Sequence, residues 1–260
     1  MSEPILLRHH NSGVETLTLN RPQQRNALSV ELMSELQAAL DDIRTDSNVK
    51  VVVLAANGPA FCAGHDLREV RENTGSREFF SGLFHQCARM MTSIVRLPQP
   101  VIARVHGMAT AAGCQLVASC DLAVASEGAK FATPGVNIGL FCSTPMVALS
   151  RNVPRKIAMD MLLTGEPINA ETALAHGLVS RVASPEALDA SVETLAQGIA
   201  ARSPLTLKIG KEAFYKQAEM TLDEAYEFTA QVMTDNMLAH DAEEGVDAFI
   251  NKREPVWRGE

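Results

Sequence analysis

The sequence predicts an α/β protein made of stacked β-β-α turns and finished by a helical C-terminal region. Three observations carry that expectation. VKVVVLAA (49–56) and VIARVHG (101–107) are apolar runs, each leading into a small-residue turn and then a helical pattern. Such unbroken runs are how strands covered on both faces read. Beyond residue 200 only helical periodicity is found, and no fixed-period repeat runs through the chain.

In chain order, Ile5 to Arg8 and Val14 to Leu19 read as a hairpin around HNSG. Ser29 is placed to cap a helix whose Leu32, Met33, Leu36, Leu40 and Ile43 recur at helical spacing. Residues 76–96 form a second helix, whose Phe79, Phe80, Leu83 and Phe84 either line an apolar tunnel or pack in the core, the core being favoured. Proline then suits the first helical position after Thr144, Val153, Ser184 and Ser203. Asn169 caps a short helix stopped by Gly177, and LVSRV (178–182) is the last expected strand. The boundaries expected are a core over residues 1–200 and a helical region over 201–260.

With 260 residues the chain is long enough to bury about 70–75% of its unfolded surface. A net charge of −8 argues against nucleic-acid or anionic-membrane partners held by bulk attraction, so any anionic ligand must be held locally. Five scattered cysteines lack the paired spacing of a zinc site, and their odd number fits no disulfide framework. No apolar run reaches the roughly 20 residues that a membrane span needs. A cytoplasmic location is expected from this and from the lack of a leader pattern in MSEPILLRHH.

Two turns carry chemistry. CAGHD and TAAGCQ each place small residues before a helix, where unpaired backbone N–H groups and the helix dipole favour an oxyanion. If the fold brings them together, they offer two donors to one oxygen, as removal of a proton beside a thioester carbonyl requires.

LNRPxxxNAL (Leu19 to Leu28), FCAGHDL (Phe61 to Leu67), VIARVHGMATAAGCQLVASCDLAVAS and LLTGEPINAETALAHGLVSRV occur in that order, and over nearly the whole chain the sequence resembles the enoyl-CoA hydratase/isomerase, or crotonase, family. The resemblance implies a crotonase-like spiral of β-β-α turns with a C-terminal region that builds a homotrimer or a dimer of trimers. It implies an acyl-CoA thioester ligand, with coenzyme A present as part of the substrate and no tightly bound cofactor or metal. His65 and Ala112 are then the residues whose N–H groups form the oxyanion hole. Ala63, His65, Asp66 and Leu67 lie by the adenine, Arg25 by the phosphates, and Phe249 and Lys252 by the nucleotide end, in some relatives across a subunit interface.

The chain departs from the family at its acids. Gln115 and Gly135 stand where the hydratases carry two glutamates, and Ser143 where other relatives carry a further carboxylate. Losing one general acid or base costs about 10²–10⁴ in rate, so weak hydratase activity is expected. Three readings are open: an acyl-CoA enzyme relying on enolate stabilisation, an acyl-CoA-binding protein without turnover, or an authentic enoyl-CoA hydratase. Gln115 either meets a water or polar acyl group or is satisfied by backbone. Cys142 reads as a core filler rather than a nucleophile. The His65 ring reads either as a surface-turn side chain, the favoured reading, or as a side chain aimed at the pocket and the one obvious titratable group beside the thioester, His106 as a hydrogen-bonded strand-end residue, and Asp66 as a helix cap or adenine-side residue.

Overall fold

The computed structural model describes residues 3–260. Strands β1 (Leu6–Asn11) and β2 (Val14–Leu19) form an antiparallel hairpin. Its two-residue turn is Ser12–Gly13, both at positive φ, which matches the twist of the strands. Helix α1 (Val30–Thr45) begins at Ser29, whose hydroxyl accepts from the Leu32 N–H at 3.1 Å. There follow β3 (Val51–Ala56), β4 (Ala60–Cys62), α2 (Leu67–Glu72), α3 (Arg77–Val95), β5 (Val101–Val105), β6 (Met108–Thr110), α4 (Ala112–Ser119), β7 (Leu122–Ser126) and β8 (Lys130–Ala132). After them come α5 (Pro145–Asn152), α6 (Arg155–Thr164), β9 (Ile168–Asn169), α7 (Ala170–Ala175), β10 (Arg181–Ala183) and the helices α8 (Leu188–Ala200), α9 (Pro204–Gln217), α10 (Leu222–Met237) and α11 (His240–Ile250).

The strands sort into a six-stranded sheet, β1-β2-β3-β5-β7-β10, and a four-stranded sheet, β4-β6-β8-β9. Each turn of the spiral gives one strand to each sheet: β3 then β4, β5 then β6, β7 then β8. Parallel pairing holds from β2 to β10 in the first sheet and among β4, β6 and β8 in the second. All six residues of β3 are buried, and the reason is visible in their alternation. Val52 and Leu54 face the main core, whereas Val51 and Val53 face α8 through Leu188, Val192 and Ala196.

The expected strand at 178–182 begins later, at Arg181, and Ser184–Pro185 starts a turn, with α8 beginning three residues beyond that proline. Pro154 is itself the cap of α6 rather than its first helical residue. Only Leu83 of the aromatic segment in α3 is buried core; Phe79 and Phe80 are half-buried and Phe84 is exposed.

Helix α9 is tied to the sheet by a buried ion pair. Lys211 Nζ lies 2.6 Å from Asp121 Oδ2 and donates to the Ile94 and Gln99 carbonyls, while Tyr215 donates to Asp121 Oδ1 at 2.9 Å. Burial pushes the Lys211 amine below its ordinary value, against the pull of Asp121. Beyond α9 the packing thins: α10 buries no residue, and Leu222, Tyr226, Met233, Leu238, Phe249 and Ile250 stand exposed.

Candidate oxyanion site

Strand β4 delivers the first turn. Gly64 sits at φ +88°, a conformation that glycine adopts without steric cost. Its carbonyl accepts from the Leu28 N–H at 2.7 Å, Ala63 N–H donates to the Arg25 carbonyl at 3.0 Å, and Asp66 N–H donates to the Leu28 carbonyl at 3.2 Å. The His65 N–H between them has no acceptor among the described residues.

Strand β6 delivers the second turn. Ala111 is held at φ 50°, ψ −118° by donating its N–H to the Ala132 carbonyl at 2.9 Å. A non-glycine residue there stores about 1–3 kcal/mol of strain. That conformation starts α4 abruptly, and Ala112 N–H, at the first helical position, is one of the donors a helix leaves unpaired.

The parallel pairing of β4 with β6, Cys62 beside Ala109, sets the two turns against each other. A methyl placed on Gly64 would stand 2.9 Å from the Ala111 Cβ and 3.4 Å from the Ala112 nitrogen. One on Gly113 would stand 2.2 Å from the Cys62 carbonyl oxygen. Gly113 is therefore required by contact between the turns, and Gly64 both by that contact and by its own left-handed backbone.

Around this pair the acidic side chain present is already engaged. Asp66 is buried, caps α2 by accepting from the Arg68 N–H, and meets Arg21 Nη2 at 3.0 Å. Burial works to raise its carboxyl, but the Arg68 N–H and Arg21 outweigh it and hold the group below the usual range. Arg21 was not among the expected site residues, because the sequence alone does not say which arginine of RPQQR turns inward. Arg25 is exposed in a left-handed conformation beside Ala63 and makes no ion pair among the described residues. Ala63 and Leu67 are exposed too. His106 donates its Nε2–H to the Gly58 carbonyl at 2.8 Å, just past the end of β5 as expected.

The two acid positions differ in kind. Gln115 is 4% exposed on the first turn of α4, and its Oε1 has no hydrogen-bond partner among the described residues. Gly135 lies in a turn of 3₁₀ helix where a Cβ would meet the Leu140 carbonyl oxygen at 2.7 Å and Cys142 Sγ at 2.8 Å. The space for a second carboxylate is thus filled by neighbouring chain. Ser143 is exposed. Cys142 is buried, which pushes its thiol up.

Thr133 joins the set unannounced by any sequence pattern. It is fully buried with an unpartnered hydroxyl, and it directly follows Ala132, whose carbonyl anchors Ala111. The His65 ring corrects the expectation of a surface side chain. Both of its nitrogens are buried without partners, and its edge meets Phe84 with centroids 5.6 Å apart. Burial pushes the imidazole below its ordinary value, with a weaker opposing pull from the Leu28 backbone outside hydrogen-bonding geometry. Phe249 and Lys252 are exposed at the end of α11, which packs on α9 and α10.

The family model described as Enoyl-CoA hydratase/isomerase matches residues 9–260. The human Enoyl-CoA hydratase domain-containing protein 3, mitochondrial, is 48% identical over 248 residues, covering 95% of this chain and 82% of that protein. The 2,3-dehydroadipyl-CoA hydratase of Escherichia coli is 34% identical over 260 residues, covering 100% of both. Among solved structures, an enoyl-CoA hydratase of Mycobacterium smegmatis superposes with a TM-score of 0.96 at 53% identity, covering 98% of this chain and 99% of that one. The crystal structure of the human domain-containing protein 3 gives 0.95 at 46%, covering 98% and 100%.

The cytoplasmic expectation is corrected by these comparisons, since the frog, mouse and human relatives at 46–48% identity are all named mitochondrial. Free cysteines separate oxidising from reducing compartments, and they do not separate one reducing compartment from another. From its sequence, its spiral of β-β-α turns and its structural neighbours, the chain belongs to the enoyl-CoA hydratase/isomerase family, and its fold is the crotonase fold.

Proposed function

We propose that this chain binds an acyl-CoA thioester, with the His65 and Ala112 N–H groups cradling the thioester oxygen, and that it acts as a crotonase-type enzyme through enolate stabilisation. The observation that carries this is the contact between the two turns at Gly64 and Ala112. Two preorganised N–H donors in a buried site strengthen as negative charge moves onto the oxygen, which is the charge change of proton removal beside a thioester. Gln115 and Thr133 supply unpartnered polar atoms for a water or a polar acyl group. Hydration itself is weak, because a water attacking one carbon while a proton reaches the next needs two carboxylates.

Ala63, Asp66 and Leu67 form the adenine side with Arg25 reaching the phosphates, and Phe249 and Lys252 close the nucleotide end from a neighbouring copy. The residues 201–260 form the region through which trimers, or dimers of trimers, assemble. A second reading, an acyl-CoA-binding protein without turnover, is favoured by the filled space beside Gly135. Incubation with a panel of acyl-CoAs, following thioester and product masses while binding is measured, separates the two. Micromolar binding with no conversion across the panel establishes the second reading, and no binding at all removes both.

A further inference from the structure

The imidazole of His65 has no structural task that its neighbours explain. A neutral imidazole removed from water needs one donor and one acceptor satisfied, and here neither nitrogen has a partner among the described residues. Its edge contact with Phe84 is one that a phenylalanine would make without stranding polar atoms. The other titratable groups at the turns are engaged or silent. Asp66 is held by Arg21 and the Arg68 N–H, and Glu69 accepts from the Val30 N–H at 3.0 Å. The thiols of Cys62 and Cys114 are pushed up to about 12 by burial. His65 is left as the side chain with a free lone pair, attached to the same residue whose backbone N–H is the first donor of the oxyanion site.

We propose that the His65 imidazole is the proton-transfer group of this site, taking a proton from the acyl carbon next to the thioester in place of the missing glutamates. The inference rests on the thioester reading above. The ring-nitrogen lone pair takes the α-proton, the C–H electron pair becomes the enolate double bond, and the carbonyl π pair settles on the oxygen held by His65 and Ala112. Return of the proton from the imidazolium to the same carbon restores the thioester. The imidazolium exchanges its proton with solvent before one returns to the carbon, so in heavy water that carbon gains deuterium and no co-reactant is consumed. The burial that lowers the imidazole keeps its base form populated at neutral pH.

One residue thus carries two roles that substitution separates, because replacing the side chain leaves the N–H in place. The full-length protein is incubated with butyryl-CoA in heavy water, the isotope content of recovered butyryl-CoA is read by mass spectrometry, and its dissociation constant is measured in parallel. The wild type is expected to exchange the α-protons at least about tenfold faster than a protein-free control, and His65→Gln to slow that exchange about 10²–10⁴-fold while binding changes less than about threefold. His65→Phe, which keeps a ring against Phe84, is expected to behave alike and guards against a folding defect in the first variant. Wild-type binding without exchange above the control, or variants that exchange at the wild-type rate, overturns the proposal alone. A protein that binds neither butyryl-CoA nor free coenzyme A overturns the thioester reading with it.

Discussion

Gly64 and Ala111 face each other across the two turns with no room for a side chain between them: a methyl on Gly64 would stand 2.9 Å from the Ala111 Cβ and 3.4 Å from the Ala112 nitrogen. Strand β4 meets β6 so that the residue before one N–H donor fills the space beside the other. Gly64→Ala is therefore expected to spread the turns and to force an alanine into φ +88°. Denaturant titration should show a loss of about 1–3 kcal/mol. Calorimetry should show acyl-CoA affinity reduced by about tenfold or more, which is about 1.4 kcal/mol.

The acid positions predict an asymmetric response to repair. Gln115→Glu is isosteric and should fold, but without a second carboxylate it should leave crotonyl-CoA hydration slow in an absorbance assay. Gly135→Glu has to displace the Leu140 carbonyl and Cys142. Overpacking of this kind costs about 1–3 kcal/mol, so the variant should melt below the wild type and the double variant should gain no fast hydratase activity. Rapid crotonyl-CoA turnover by the natural protein would contradict the argument from the missing acids.

Asp66 makes the first turn sensitive to acid. Its carboxyl lies below the ordinary 3.8, so on acidification the unfolded chain takes up the proton first. The stability contributed by the Arg21 pair and the Arg68 N–H is fully present above that value and is lost as pH falls through the lower folded value. Asp66→Asn should lower the melting temperature at neutral pH, and the gap to wild type should narrow as melts are taken progressively below the ordinary 3.8.

The apolar side chains on α10 and α11 predict association. Leu238 and Phe249 are 82% and 86% exposed in the single chain, and a patch of such residues is costly in water. Leu238→Asp, alone or with Tyr226→Asp, should reduce the light-scattering mass to that of one chain while leaving helical content unchanged by circular dichroism. A wild-type protein that is already a single chain in solution would remove the interface.

Much of the architecture was legible in the residues. Val51 to Ala56 announced a strand covered on both faces, and Ser29, Asn169 and Ser203 accept backbone N–H bonds at the helix starts. The Ser184–Pro185 pair misled because proline at a first helical position is equally at home in a turn. The second strand of each turn was implied only by the β-β-α reading and could not be placed residue by residue, since β4, β6 and β8 are three residues each and too short to show a period.

The order of motifs, the two glycine-bearing turns and the identities of Gln115 and Gly135 were decided by the sequence alone, because periodicity, capping chemistry and side-chain type are local properties. Tertiary structure decided that those turns meet, that Arg21 rather than Arg25 pairs with Asp66, that Thr133 and the His65 ring are stranded beside them, and that no room remains at Gly135. Pairing Cys62 with Ala109, or closing the space at Gly135 with Leu140 and Cys142, depends on which atoms arrive from elsewhere in the chain. Packing at that density is a property of neighbours in space, which the order of residues does not display.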